Sequence, residues 1–251
     1  MKVTLTINKS IPENAAFYYE QAKRAKKKTS GAKEAIEKTK KEIKRLETTK
    51  EYEEKKKESK KKIIVKREWY EKFHWFTSSD GFLCIGGKDA TSNEVVVKKH
   101  VEKDDLVFHT QMPGSPFFVI KADKPIPKET KEEAAIATAS YSKAWKLGIG
   151  STEVFSFTKE QITKASKKGS FFVHGKRDYY NVELKLAIGN NNKIIGGPVS
   201  AIEKQTKNFI IIKPGHQKSS DIAKTIQKKL TGDIEQIQKF IPSGKTSISK
   251  N

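Results

Sequence analysis

The chain has 251 residues, with 51 Lys and Arg against 30 Asp and Glu, a formal net charge of +21 and a pI near 9.7. Folding does not require such an excess, which repels itself and weakens the compact state; it points to a polyanionic partner, nucleic acid before an anionic membrane face. The plain alternative is an organism whose proteins all run lysine-rich. No stretch approaches the ~18 apolar residues a membrane-spanning helix needs, and the single cysteine, Cys84, excludes an internal disulfide and fits a reducing compartment. The histidines show no ligand spacing, so no zinc site and no other cofactor is expected.

Residues 3–7 alternate apolar and Thr and read as a strand or extended lead-in, without the apolar core of a signal peptide. A cytoplasmic location is expected. Residues 12–62 are almost all Lys, Glu, Ala, Thr and Gln, which predicts a helix with Pro12 in its first turn. Ala32, Ile36, Thr39, Ile43 and Leu46 recur at heptad-like spacings. Two short heptads are too few for an isolated coil, so the segment is either a solvated helix or half of a coiled-coil arm whose partner is elsewhere. Gly31 weakens a continuous rod without excluding it.

Aromatic and β-branched content rises from residue 63, where a packed domain is expected. Residues 69–73 read as a short helix with Trp69, Phe73 and Phe76 inward, and Cys84 as a small buried hydrophobe. Strands at 74–78 and 82–85 would form a hairpin through Ser79-Asp80-Gly81, since Asp-Gly suits a tight turn. Thr91-Ser92-Asn93-Glu94 looks like a capping box opening a helix over 91–101. Strands are predicted at 106–110 and 117–121, and one long alanine-rich helix over 130–147 with Gly148 as its cap. Strands at 153–158, 170–175 and 181–188 follow, an interruption at Gly196-Gly197-Pro198, a strand at 208–213, and helices at 221–230 and 233–240. Strands and helices do not alternate strictly, so the fold class is α+β: a mixed, largely antiparallel sheet with packed helices, preceded by an N-terminal helical arm. The predicted division is a basic arm, 1–62, and a domain with a C-terminal helical extension, 63–251.

The order of motifs resembles the NFACT-R domain. The resemblance is carried by Glu68-Trp69-Tyr70-Glu71-Lys72-Phe73-His74-Trp75-Phe76, Ser78-Ser79-Asp80-Gly81-Phe82, Ile85-Gly86-Gly87-Lys88-Asp89 and Asn93-Glu94. It continues through Asp105-Leu106-Val107-Phe108-His109, Ala139-Ser140-Tyr141-Ser142-Lys143-Ala144-Trp145 and Gly169-Ser170-Phe171-Phe172-Val173-His174-Gly175-Lys176-Arg177. Asn14-Ala15-Ala16-Phe17-Tyr18-Tyr19 looks like the family's entry into its second coiled-coil helix, and the likeness is of archaeal type. Two departures stand out. Where the family commonly reads His-Ala-x-x-His-Gly, this chain has His109-Thr110-Gln111-Met112-Pro113-Gly114, and the loop before Gly169 is shorter than usual.

The NFACT proteins are ribosome quality-control factors and their nuclear-export-mediator and fibronectin-binding-protein-like namesakes. The resemblance implies an RNA-binding domain that binds tRNA and rRNA of the stalled large ribosomal subunit in support of C-terminal tailing of nascent chains. The family's tailing determinants belong to an N-terminal domain outside this sequence, so the chain is expected to bind and not to catalyse. A separate N-terminal NFACT half or ribosomal proteins are further partners implied for the arm; no membrane is.

An RNA site needs cations for phosphates and planar groups for bases. Lys88, Lys98, Lys99, Lys164, Lys176 and Arg177 supply cations at the ends of predicted elements, and His109 and His174 end strands where a ring could stack or donate. The alternative for each histidine is an ordinary satisfied side chain. Trp69 and Trp145 read as core. A nuclease-like enzyme is the main alternative function, drawn from His109 with Asp104 and Asp105, but nothing in the sequence orients a nucleophile beside them. A protein-interaction scaffold is the other.

Overall fold

The computed structural model of the protein describes residues 4–47, 68–112, 114–165 and 169–249. The chain divides into two units, Met1–Lys66 and Arg67–Asn251. The boundary expected at residue 62 falls outside the described residues.

In the first unit α1 (Ile11–Glu47) runs for 37 residues; the stretch of arm expected beyond it lies outside the described residues. Ser10 and Glu13 begin the helix with a capping box: the Glu13 carboxylate accepts from the Ser10 amide and hydroxyl, both at 2.7 Å, and the Glu13 amide donates to Ser10 Oγ. Those two donors hold the Glu13 acid below the usual carboxylate range. Residues 4–6 are an irregular lead-in and not a strand. Asn14 folds the lead-in back over the first turn, accepting from the Thr6 amide and donating to the Thr6 and Lys9 carbonyls. Gly31 continues the helix, and the heptad positions Ile36 and Ile43 stand exposed on it.

The second unit opens with a 3-10 turn (Trp69–Lys72), then β1 (His74–Thr77), β2 (Leu83–Gly86), α2 (Ala90–His100), β3 (Leu106–Thr110) and β4 (Phe118–Ile120). Next come α3 (Lys128–Ser140), α4 (Lys143–Leu147), β5 (Ser151–Phe157), β6 (Ile162–Lys164), β7 (Phe171–Val173) and β8 (Asp178–Glu183). The chain ends with β9 (Leu186–Asn191), β10 (Lys193–Gly197), α5 (Val199–Gln205), β11 (Phe209–Gln217), α6 (Ser219–Leu230), α7 (Ile234–Phe240) and β12 (Thr246–Ile248). This is the expected α+β class. One antiparallel sheet has the order β1-β2-β4-β3-β5-β8, a second β10-β9-β11-β12, and β6 pairs with β7 alone.

Alternation along the first sheet separates two apolar layers. Ile85, Val107, Val119, Phe155 and Phe157 face α2, packing with Val96, Val97 and Val101. Cys84, Phe108, Phe118 and Val154 face the other way, onto the alanines of α3, and that core runs on into the second sheet and the Ile222–Ile226–Leu230 stripe of α6. The hairpin turn forms as predicted: Gly81 takes φ +87°, a left-handed conformation that suits glycine, and the Ser78 amide donates to Phe82 O at 2.8 Å.

A buried polar cluster ties this turn to two helices. Glu133 of α3, 2% exposed, accepts from the Ser79 amide at 2.9 Å and from Ser200 Oγ at 2.7 Å. One turn earlier, Thr130 Oγ1 contacts Ser78 Oγ at 3.0 Å and Asp80 Oδ2 at 2.8 Å. A buried carboxylate is tolerated because its oxygens are met by donors.

Several elements differ from the sequence expectation. The long helix over 130–147 is two: Ser142 turns extended, accepts from the Ala144 amide to cap α4, and donates to Ala139 O at 2.7 Å. The break lets the Tyr141 ring stack on His74 with centroids 3.9 Å apart, its hydroxyl donating to Phe240 O. The strand over 181–188 is also two, because after the Leu184 amide donates to Gly150 O the chain leaves the first sheet for the second. Gly196 and Gly197 do not interrupt; they belong to β10, where a side chain on Gly196 would meet Phe240. Helix α2 is capped by Asp89 with Ser92, and not by Thr91 with Glu94. Trp145 and Cys84 are core, Trp145 Nε1 donating to Thr246 Oγ1 at 3.1 Å, but Trp69 is 47% exposed and stacks on His100.

Candidate nucleic-acid interface

The predicted cations fall into three groups. The largest surrounds the β6–β7 hairpin, which lies against the start of α2. Gly169 makes that approach possible: its φ is +73°, and a Cβ there would sit 2.4 Å from Ala90 O. Across the junction Glu94 of α2 pairs with Lys98, its neighbour one turn on, at 2.5 Å and with Lys164 of β6 at 3.5 Å. The two lysines hold the Glu94 acid below its usual range, and the pairing raises Lys98. One carboxylate between two exposed lysines leaves a net positive spot.

The hairpin carries its side chains on two faces. Ile162, Phe171 and Val173 turn inward against the α2 layer, and Phe171 meets the Phe117 ring edge-on at 5.4 Å. Thr163, Phe172 and His174 turn outward. Thr163 is the cross-strand partner of Phe172 and its Oγ1 lies 2.7 Å from His174 Nε2, while Phe172 is 60% exposed. Gln161 stiffens the chain leaving β7, its Nε2 donating to His174 O at 2.8 Å and Lys176 O at 2.6 Å. Lys176 is exposed. Arg177 is half-buried: Nη2 donates to Val173 O at 2.6 Å and the guanidinium lies over the Phe155 ring. The edge strand β8 continues this side with Tyr179, 55% exposed.

The other predicted residues lie elsewhere. Lys99 belongs with Lys72 and Lys121 around His100; burial and these three charges hold the imidazole below its usual range. Lys88 lies by His74 and Lys239 on the α3 side of the sheet, where burial and then Lys239 lower the ammonium pKa. His109 is not an open donor. Its ring stacks on Phe117 with centroids 4.0 Å apart and planes 3° apart, and Nδ1 meets Pro116 O at 2.9 Å. A carbonyl only accepts, so Nδ1 carries the proton. Burial holds this imidazole neutral by lowering its pKa.

Two exposed aromatic residues at this edge, Phe172 and Tyr179, escaped the sequence reading. Phe171-Phe172-Val173 reads as an unbroken apolar run, which conceals that only one face of the strand is covered. Among the described residues no group of three or more His, Cys, Asp and Glu could hold a metal ion, and no helix is long and apolar enough to cross a membrane.

The fold and this edge define an α+β domain that concentrates cations and open aromatic rings beside one small hairpin. Residues 72–181 match the NFACT-R family, described as the NFACT protein RNA binding domain. The chain is 40% identical over 201 residues to the archaeal Rqc2 homolog aRqcH of Methanocaldococcus jannaschii, covering 74% of this chain and 30% of that protein. It is 34% identical over 174 residues to the human ribosome quality control complex subunit NEMF, covering 66% of this chain and 16% of that one. Ribosome quality control complex subunit 2 of Schizosaccharomyces pombe is 33% identical over 126 residues, 45% of this chain and 12% of that protein. The chain belongs to the NFACT family and is a homologue of these ribosome quality control factors, spanning less than a third of their length.

Proposed function

We propose that this chain binds RNA of the ribosome quality control machinery, tRNA and rRNA of the large ribosomal subunit, and does so without turnover. The observation that carries the reading is the cationic, aromatic-bearing hairpin edge within the segment that matches the NFACT RNA binding domain. Lys98, Lys164, His174, Lys176 and Arg177 form the principal contact. Lys88 and Lys99, with their neighbouring lysines, add two flanking phosphate contacts, and His109 supports the edge from beneath through Phe117. The chain contributes binding to the tailing of stalled nascent chains in the cytoplasm, and α1 supplies a lysine-rich rod for a protein or RNA partner.

The test is titration of the purified chain with tRNA at several salt concentrations, alongside cosedimentation with large ribosomal subunits. Each phosphate neutralised contributes about 0.7–0.9 to the slope of log affinity against log salt. A slope corresponding to several phosphates is expected, with RNA recovered uncleaved. Binding that ignores salt, or RNA that is cut in the presence of a divalent metal, would overturn the reading.

A further inference from the structure

Phe172 is a large apolar ring held in water. The strand that carries it has satisfied its packing with Phe171 and Val173 on the other face, so Phe172 contributes nothing visible to the core. On an edge hairpin such a ring is a liability for self-association. The polar setting is specific: Thr163 lies across from it, and His174 stands two residues along on the same face, fixed by its bond to Thr163. His174 and Lys176 are exposed, and Lys164, next to Thr163, is exposed on the other face of β6, where it pairs with Glu94. Residues i and i+2 of a strand are separated by about 6.6–6.8 Å, roughly twice the ~3.4 Å rise between neighbouring bases of a nucleic-acid strand. One planar base fits that interval.

Resting on the RNA-binding reading above, we propose that the outward face of the β6–β7 hairpin is a site for a single unstacked nucleobase, with Phe172 as the stacking platform and His174 as the flanking wall. The occupant is single-stranded RNA, because a base inside a duplex has both faces covered and cannot reach the ring. Charge selects it over an apolar peptide: Lys164 at the end of β6 and Lys176 just past β7 are exposed cations that attract a phosphate backbone and would gain nothing from a neutral chain. Lysine contacts set the salt dependence, and stacking on Phe172 adds affinity that salt does not screen.

The experiment measures binding of the full chain to a short single-stranded oligoadenylate and to a duplex RNA of equal length, across salt concentrations, for the wild type, Phe172→Ala, Phe172→Leu, Phe172→Trp and Lys176→Ala. Stacking on one ring predicts that Phe172→Ala and Phe172→Leu bind the single strand about ten-fold more weakly with an unchanged salt slope, and leave duplex binding intact. Lys176→Ala should lower the slope by about one. Phe172→Trp should keep the affinity, with indole fluorescence quenched on binding. If Phe172→Leu binds like the wild type the contact is merely apolar, and if single strand and duplex lose equally the ring is not reading an open base; either result overturns the site while leaving RNA binding in place. A wild type that binds neither RNA at low salt removes the RNA-binding reading itself, and this site with it.

Discussion

Arg177 covers Phe155, its guanidinium carbon 4.7 Å from the ring centroid, while the preceding Lys176 extends into water. Two neighbouring cations therefore have different tasks. Lys176→Ala should weaken RNA binding and leave stability within about 0.5 kcal/mol of the wild type. Arg177→Ala removes a charged hydrogen bond to Val173 O and a cation resting on a buried ring, and should cost roughly 1–2 kcal/mol in addition to any affinity. Thermal unfolding of the two single variants separates the roles; equal melting temperatures would show that the Arg177 contacts are dispensable.

The pair formed by His74 and Tyr141 should make the domain acid-labile. His74 Nδ1 is enclosed with no hydrogen-bond partner among the described residues, and burial, then the nearby Lys88, push its pKa from 6.5 to about 3. The folded state disfavours the proton that the unfolded chain accepts below about 6.5. The contribution of a neutral His74 is thus complete above that pH and lost as pH falls toward 3, by up to about 1.4 kcal/mol per unit. Denaturant unfolding between pH 7 and 4 should show this slope, and His74→Phe, which keeps a ring against Tyr141, should flatten it. An unchanged slope in the variant would assign the acid sensitivity to other groups.

Glu133 is the most enclosed carboxylate of the polar cluster under the hairpin turn. Glu133→Ala leaves the Ser79 amide and the Ser200 hydroxyl without their acceptor and should destabilise by about 1–3 kcal/mol. Glu133→Gln should be milder. Its carbonyl can still accept from the Ser79 amide while its NH2 donates to Ser200 Oγ, a hydroxyl able to reverse its role. Chemical denaturation of both variants checks the ranking, and an alanine variant as stable as the glutamine one would refute it.

Removal of residues 1–66 should leave a cooperatively folding domain. The apolar layers described for Arg67–Asn251 are built from that unit's own residues, whereas Phe17, Tyr19, Ile36 and Ile43 of α1 are exposed. Thermal unfolding of the truncated chain should give a single sharp transition. A molten or insoluble product would mean that the arm supplies part of the core.

Much of the second unit was legible because its signals are local. Asp80-Gly81 announces the first hairpin, Leu106–Thr110 is a short run of apolar, aromatic and β-branched residues, and the stripe of α6 recurs at helical spacing. The failures come where a distant partner overrides local preference. Ser142 is a weak local signal, an N-cap type inside a helical run, and the break it makes is held by partners remote in sequence, the stack of Tyr141 on His74 and the bond to Phe240 O. Leu184 likewise ends one strand because Gly150 is there to receive its amide. At the candidate site residue type identified the cations, but their sorting into three groups depends on Glu94, Lys239 and His100, which single-residue reading treats as background. Trp69 looked like core because Phe73 and Phe76 follow it at helical spacing; the ring instead lies on His100 at the surface.

The start of α2 turns three of its amides onto its own side chains. The amides of Lys88 and Asp89 donate to Ser92 Oγ at 2.8 Å each, the Ser92 amide donates to Asp89 Oδ1 at 2.7 Å, and a carboxylate occupies the positive end of the helix. Those three amides are therefore not offered to an incoming anion. Whatever negative ligand settles on this side is held by long lysine side chains that swivel to meet it, and small errors in its shape carry little penalty. Such a grip suits a partner presented in more than one pose and leaves fine discrimination to whatever fits against the rigid rings nearby.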